Sequence, residues 1–441
     1  MVLMLSLIIG CNNEVDVDTS DTGFTGHMED PKQFTNYQII QLRRHWPLPQ
    51  VPLQPTNAVA DDPYAAHLGQ FLFFDERLSN GNEVSCATCH NPELGWSDGE
   101  RVSIDGLEDS ARHAPTLWNS GYIRWAFWDG RCDSLWCQAT SPIEAAGEMG
   151  GNRMAVAHLI ANDSELKDAY EAIFGALPDL SDESRFPDNA RPDDDPEHPY
   201  ELAWNAMRSE DRETVNVVFT NITKSIAAFE RLIISRNSPF DEFAEAILTG
   251  ENLSGLDSIS DSAARGLKLF IGEAQCHLCH EGPNFTNQEF SNIGLGPRDW
   301  LLSDDHGRID GASLVLDNPF NGIGAYSDDP EAADEQLIYL SMGSELDGQF
   351  KIPTLRNVTT HPPYMHGGHF ETLEECVNHY IDPTETPEFG HREDIIQAPW
   401  STAINLSPET DLPDIVEFLK TLTSPPLPTT LTTQPASPVL D

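Results

Sequence analysis

The chain has 441 residues, which is enough for two or three domains with separate hydrophobic cores. Its 72 acidic and 25 basic residues give a formal net charge of −47, which argues against nucleic acid and an anionic membrane surface as partners. A cationic partner or a saline habitat would fit this charge, and so would an acidic surface that binds nothing.

The first eleven residues, "MVLMLSLIIGC", are apolar and too few to span a bilayer. They resemble a bacterial lipoprotein signal, in which Cys11 would carry lipid and become the mature N-terminus. An ordinary secretory signal is the alternative, and either signal would export the protein to the periplasm or cell envelope. Residues 12–55 are then expected to be a polar tether and an N-terminal extension.

The motif Cys-x-x-Cys-His occurs twice in the chain. In c-type haem attachment, the two thiols bond to haem vinyl groups and the imidazole lies beneath the iron as its proximal ligand. A zinc site or a thioredoxin-like redox pair is the alternative, but a zinc ribbon would not need a His after each pair. The sequence therefore predicts two covalently bound haem c groups. The residues concerned are Cys86, Cys89 and His90 in the first motif and Cys276, Cys279 and His280 in the second.

A segment with helical apolar spacing precedes each motif, "AAHLGQFLFF" before the first and "AARGLKLFIG" before the second. This internal repeat predicts two cytochrome c-like domains, each with one covalently bound c-type haem. The expected boundaries are 56–245 for the N-terminal domain and 246–425 for the C-terminal domain, followed by a flexible tail at 426–441.

The remaining segments predict a mainly α fold. Apolar residues from Val215 to Ile233 follow a 3.6-residue period and indicate a long amphipathic helix, and a second helix is expected around 152–175. Residues 178–200 are rich in Pro and Asp and indicate a surface loop, and 295–350 indicate a long excursion. The stretch "DLPDIVEFLKTL" predicts a closing helix, and few segments alternate as strands do.

Three cysteines remain after haem and lipid are accounted for: Cys132, Cys137 and Cys376. A disulfide between the first two is one alternative. Two cysteines five residues apart on one helix, however, are too far apart for a disulfide to close without distortion. Buried thiols are therefore expected.

Several long segments resemble the bacterial diheme cytochrome c peroxidase family, which includes the MauG enzymes. They are "FFDERLSNGNEVSCATCHNPELGWSDG", "RHAPTLWN", "FWDGRCDSLWCQATSPIEAAGEMG", "FERLIISRNSPFDEF", "FKIPTLRNVTTHPPYMHGG" and "DIVEFLKTL". The likeness runs from about Pro63 to Leu422. It implies an enzyme that reacts with hydrogen peroxide at the N-terminal haem, while the C-terminal haem transfers electrons or shares charge.

The same resemblance implies the site residues. Trp128 of "FWDGR" falls at the inter-haem tryptophan, and Gln138 and Glu148 match the distal pair. A carboxylate there can take a proton from peroxide and return it to the departing oxygen, while an amide holds peroxide in line. Glu144 is the substitute acid, and each of these residues has a structural role as its alternative. Arg356 of "FKIPTLRN" is assigned to the haem-binding set.

The chain departs from many peroxidases of this family near the first haem. Those enzymes cap the resting iron with a His before "FWDGR", yet "SDGERVSIDGLEDSAR" contains none. His113 is the one candidate, and it stands where the family usually has the Asn that binds an inter-haem calcium. An open sixth site is therefore expected. If calcium is bound, the backbone carbonyls of His361 and Pro363 would be its ligands.

Tyr380 occupies the position at which many of these peroxidases place an axial Met on the second iron. A phenolate lowers the haem potential, whereas a thioether raises it. This favours a MauG-like enzyme that oxidises a protein side chain over a peroxidase fed by a small c-type cytochrome. A non-enzymatic diheme electron carrier is the third alternative. His379 or Met365 is the alternative ligand.

Four tryptophans lie within nineteen residues, namely Trp118, Trp125, Trp128 and Trp136. Such a density is typical of a hole-hopping route to the surface. Aromatic packing around haem edges explains it equally well.

Overall fold

The computed structural model describes residues 30–103, 112–295, 305–381 and 406–440. Within these ranges the protein is mainly helical, which confirms the predicted mainly α fold. Two-residue strands β1 (Phe290–Ser291) and β2 (Phe350–Lys351) pair antiparallel. In the described part of the chain, no helix is long and apolar enough to cross a membrane. The predicted signal and its Cys11 lie outside the described residues.

The first half of the chain contains α1 to α8. Their bounds are α1 Asn36–His45, α2 Pro63–Phe73, α3 Cys86–Cys89, α4 Leu135–Glu144, α5 Arg153–Asn162, α6 Ser164–Phe174, α7 Pro199–Ala206 and α8 Ser209–Glu230. The predicted long helix is α8. The helix expected around 152–175 is interrupted at Asp163, which ends α5 and caps α6 through its side chain. Short 3₁₀ turns lie at Glu76–Leu78, Pro92–Leu94 and Ser120–Tyr122.

The second half contains α9 to α15. Their bounds are α9 Pro239–Thr249, α10 Asp261–Phe270, α11 Arg308–Asp317, α12 Pro330–Ile338, α13 Leu373–Ile381, α14 Asp411–Lys420 and α15 Thr429–Thr432. Further 3₁₀ turns lie at Leu253–Asp257, Cys276–Leu278, Ser344–Leu346 and Val358–Thr360. The predicted closing helix is α14, and the predicted excursion contains α11 and α12.

Two hydrophobic cores accompany the two Cys-x-x-Cys-His motifs. In the first, α2 packs on α8, and a Cβ at Gly69 would lie 1.8 Å from the carbonyl oxygen of Ser225. In the second, α10 packs on α14, and a Cβ at Gly266 would lie 1.9 Å from the carbonyl oxygen of Asp414. Each repeat therefore uses its glycine for a close helix crossing that no larger residue permits.

The N-terminal end of the described chain packs on the second core, and the C-terminal end packs on the first. Leu42 of α1 is buried in the second core, and Phe34 and Trp46 pack against it. Leu427 and Leu431 pack against the first core instead. Helix α1, in the part of the chain expected to be an N-terminal extension, therefore packs on the second core.

The C-terminal segment differs from the expected flexible tail. Gln70 of α2 donates hydrogen bonds to the carbonyl oxygens of Thr430 (2.7 Å) and Thr433 (2.8 Å). Gln434 donates to the carbonyl oxygen of Phe71 at 3.1 Å. These bonds hold the segment along α2, and the two leucines pack it against the first core.

The expectation of buried thiols is wrong for Cys132 and Cys137, which form a disulfide with Cα atoms 5.7 Å apart. The helical-spacing argument fails because α4 begins at Leu135, so Cys132 lies before the helix, where Ala126 donates to its carbonyl oxygen. The expectation is correct for Cys376, which is a buried free thiol.

Candidate active site

The first motif is built on the short helix α3. The backbone N–H of Ser85 donates to the Thr88 hydroxyl at 3.0 Å, which fixes the start of the helix ahead of Cys86. His90 follows the helix, and its Nδ1 donates to the carbonyl oxygen of Trp96 at 3.2 Å. Since Nδ1 carries the proton, Nε2 is the ring nitrogen available to a metal.

The second motif repeats this arrangement. His280 Nδ1 donates to the carbonyl oxygen of Phe285 at 3.0 Å. Burial lowers the pKa of His280 to about 4, against the opposing effect of the Phe285 and Pro353 carbonyls, so its ring is neutral, as a metal ligand must be. The backbone carbonyl of His280 lies 3.2 Å from Nε2 of His45. Helix α1 therefore supports the loop that carries the second motif.

One cavity of about 650 Å³ is lined by all six residues of the two motifs. Three buried polar atoms of residues that line it have no hydrogen-bond partner among the described residues: Trp118 Nε1, Glu230 Oε2 and His361 Nε2. Such atoms are expected where a bound group supplies the missing partners. A zinc site would need clustered ligands, yet the described residues contain no group of three or more His, Cys, Asp or Glu that could hold a metal ion.

The predicted distal residues line this cavity. Gln138 comes from α4, and Glu148 follows that helix. Burial raises the pKa of Glu148, and the charge of Arg131 opposes that rise only in part. The substitute acid, Glu144, is engaged elsewhere, because both its oxygens accept hydrogen bonds from Arg153.

Trp128 lines the same cavity as the residues of the two motifs. Its indole N–H donates to the carbonyl oxygen of His113 at 2.9 Å, and its own carbonyl accepts from the backbone N–H of Lys351 at 2.7 Å. The indole and the His366 ring meet edge to face, with centroids 6.5 Å apart. Hydrogen bonds to its indole N–H and to its backbone carbonyl therefore fix Trp128 at the cavity.

The His113 ring is occupied by protein groups. Its Nδ1 lies 2.6 Å from the carbonyl oxygen of Glu100, and its Nε2 lies 3.3 Å from the Ser97 hydroxyl. These contacts engage both ring nitrogens of His113, and the open sixth site above His90 stays a prediction. His361 and Pro363 both line the cavity, and the calcium assigned to their carbonyls stays a prediction.

Tyr380 lines the cavity from α13. Burial raises the pKa of its phenol, and the thiols of Cys376, Cys279 and Cys276 add to that rise, so the phenol lies close to the second motif. Of the two alternative ligands, Met365 also lines the cavity. The His379 Nε2 instead lies 2.8 Å from the carbonyl oxygen of Ile293.

Arg356 is not among the described residues that line the cavity, and its assignment to the haem-binding set stays a prediction. Its guanidinium group is fully buried and donates two hydrogen bonds of 2.9 Å to Asp241 and one of 2.7 Å to the carbonyl oxygen of Pro283. It therefore supports the loop after His280. The basic residue of this segment that does line the cavity is Lys351, which the sequence reasoning missed.

The four clustered tryptophans diverge in the structure, and each is at most 8% exposed. Trp118 and Trp128 line the cavity. Trp125 packs with Val315 and Leu337. Trp136 donates from Nε1 to the Thr56 hydroxyl at 3.0 Å in the first core. The packing interpretation therefore accounts for Trp125 and Trp136, and none of the four reaches the surface.

The fold and the site define a diheme protein of the peroxidase type. The family model "Di-haem cytochrome c peroxidase" matches residues 63–247. Cytochrome-c peroxidase IdrP1 of Denitromonas iodatirespirans is 30% identical over 338 residues, which are 76% of this chain and 76% of that protein. The chain belongs to the di-haem cytochrome c peroxidase family and is a diheme peroxidase-type oxidoreductase, as the sequence resemblance predicts.

Two further relatives resemble the chain over most of its length. Methylamine utilization protein MauG of Methylorubrum extorquens is 29% identical over 435 residues, which are 98% of this chain and 97% of that protein. The crystal structure of a MauG-like protein associated with microbial copper homeostasis matches 88% of this chain and 97% of its own, with a TM-score of 0.59 and 25% identity. Family membership implies two haem groups.

Proposed function

We propose that the protein is an exported, MauG-like enzyme with two covalently bound c-type haems, which reacts with hydrogen peroxide and passes the oxidising equivalents to a protein side chain. The two motifs, each beside its own hydrophobic core, would form two cytochrome c-like domains. The observation that carries the proposal is the shared cavity, which brings together Glu148, Gln138, Trp128 and Tyr380 with both motifs.

The chain's own residues would hold the haems and handle protons. When bound, haem supplies an iron that can transfer electrons to peroxide. Cys86 and Cys89 would attach the first haem and Cys276 and Cys279 the second, with His90 and His280 as proximal ligands. Their Nδ1 hydrogen bonds to backbone carbonyls hold both rings in the required tautomer.

Peroxide would be activated on the distal side of the first haem. Gln138 orients it, and the Glu148 carboxylate accepts one proton and returns it to the departing oxygen. The raised pKa of Glu148 makes that return easier near neutral pH. Both ring nitrogens of His113 have protein partners, so this histidine would not compete with peroxide.

Tyr380 distinguishes this proposal from a scavenging peroxidase. A phenolate on the second iron lowers its potential and stabilises oxidised states, so electrons from a small cytochrome would enter it less readily. Trp128, which lines the cavity shared by the two motifs, would couple the haems. The pair could then store oxidising equivalents until a protein donor binds.

A peroxidase fed by a small c-type cytochrome is the second candidate. Its support is the 30% identity to cytochrome-c peroxidase IdrP1 and a net charge of −47, which suits a cationic donor. A diheme electron carrier has less support, because it would have no use for the paired amide and acid at an open site.

Donor preference tests the proposal. The purified diferric enzyme is mixed with peroxide and either reduced small c-type cytochromes or tryptophan- and tyrosine-bearing peptides. The proposal predicts slow cytochrome oxidation and covalent oxidation of the peptides, detected by mass spectrometry. Rapid cytochrome turnover with unmodified peptides would favour the scavenging peroxidase instead.

A further inference from the structure

Lys351 brings a basic side chain to the cavity beside Trp128. It belongs to β2, and its backbone N–H donates to the carbonyl oxygen of Trp128 at 2.7 Å. The residue lines the cavity. Its ammonium group makes no ion pair or hydrogen bond with any residue in the described part of the chain.

The other two lysine or arginine residues among the described cavity lining are paired with acids. Arg112 binds Asp129 at 2.6 Å and Asp305 at 2.7 Å. Arg131 binds the same Asp129 at 3.1 Å. Two arginines therefore bind Asp129, the acid whose charge acts on Lys351. An unpaired cation is unexpected in a chain with 72 acidic and 25 basic residues, because any of many acids could have neutralised it.

The ammonium group is nevertheless charged near neutral pH. Burial lowers the pKa of Lys351 to about 8, and the charge of Asp129 opposes that fall. Most of the population at pH 7 therefore carries a positive charge inside the cavity, and desolvation favours a bound anion there.

We propose that Lys351 binds a carboxylate in the cavity, namely a propionate of one haem, at the junction marked by Trp128. This inference rests on the two haems of the proposed function. Propionates are the charged groups on the periphery of a haem, so they are the anions that the proposed occupants bring. The lysine charge would compensate the propionate and raise the potential of that haem, since outer groups tune the iron.

Redox titration of the holoenzyme tests the assignment. Lys351→Met should lower the midpoint potential of one haem, whereas Lys351→Arg, which keeps the charge, should leave it near the original value. Lys420→Met is the matched control, because it removes the same charge from an exposed lysine paired with Glu417 at 2.7 Å. Equal potentials in the Lys351→Met and Lys420→Met variants would overturn the proposal.

Two further measurements separate the other outcomes. Resonance Raman spectra of Lys351→Arg should show altered propionate bending modes. This variant keeps the proposal testable if Lys351→Met does not fold. Any change that formate causes in the spectrum of the original holoenzyme should be the same in Lys351→Met. A formate response that depends on Lys351 would mean that the lysine binds an anion from solution, which contradicts the propionate assignment. Haem content is measured for every variant, because a chain without covalent haem would refute the proposed function itself.

Discussion

Both carboxylate oxygens of Glu144 accept hydrogen bonds from the Arg153 guanidinium group, Oε1 from Nε at 2.9 Å and Oε2 from Nη2 at 2.6 Å. Four residues further along, Glu148 lines the cavity with a raised pKa. Two acids at the end of one helix therefore have different roles. Glu144 holds α5 to α4, and Glu148, which lines the cavity, is the acid that we propose reacts with peroxide.

Replacing Glu148 should slow the reaction with peroxide. General acid–base groups typically contribute 10²–10⁴-fold, so we expect Glu148→Gln to lower the second-order rate constant by roughly that factor. Both haem spectra should stay nearly unchanged. The measurement is the rate of spectral change after peroxide is mixed with the diferric enzyme.

Glu144→Gln is the matched control. It should change that rate by less than about threefold, yet lower the free energy of unfolding by roughly 3–5 kcal/mol, because it leaves Arg153 buried without its charged partner. If Glu144→Gln slowed peroxide reaction more than Glu148→Gln, the assignment of the two acids would be reversed.

The rate of peroxide reaction should depend on pH through Glu148. Its carboxylate form accepts the proton, and burial raises its pKa above the ordinary value of 4.5. The rate should therefore fall as the pH falls through this raised pKa. Glu148→Gln should lack that part of the profile. A pH profile shared by both proteins would show that another group titrates.

The second iron should respond to changes at Tyr380 while the first does not. Electron paramagnetic resonance of the ferric protein should show one high-spin and one low-spin signal, and Tyr380→Phe should alter only the low-spin signal. Tyr380→Met should raise the potential of the same haem, because a thioether favours the reduced state. Two low-spin signals at rest would contradict the open first site.

The Cys132–Cys137 disulfide should be measurable as two thiols that appear on reduction. Thiols titrated in denatured protein should increase by two after reductant treatment, and not at all in the Cys132→Ser/Cys137→Ser variant. That variant should lose roughly 2–4 kcal/mol of unfolding free energy, because the cross-link restrains the unfolded chain. An unchanged thiol count on reduction would show that Cys132 and Cys137 are free thiols, as the sequence analysis expected.

Local patterns predicted the helices and the two motifs well. Apolar spacing located α8 and α14, because this pattern depends on neighbouring residues alone. The two motifs likewise located residues that line the cavity, because each motif is contiguous in sequence. The sequence predicted one helix around 152–175, whereas the structure has two. The break was not predicted because Asp163, which caps α6, is also compatible with an exposed position within a helix.

Features that depend on distant contacts were beyond the sequence. The packing of α1 on the second core and of Leu431 on the first joins residues far apart in the chain. Arg356 and Lys351 lie five residues apart in one segment, and no local signal shows that Asp241 pairs with the arginine. The family pattern pointed to the segment, and only the fold shows which basic side chain meets the cavity.

The most direct test of the account mixes the diferric enzyme with one equivalent of peroxide in a stopped-flow spectrometer. The account predicts that the spectra of both haems change together without prior reduction, because Trp128 couples the haems and Tyr380 stabilises oxidised states of the second. In Trp128→Phe, only the first haem should respond. If neither haem responds until an electron is supplied, the MauG-like account is wrong and the scavenging peroxidase replaces it.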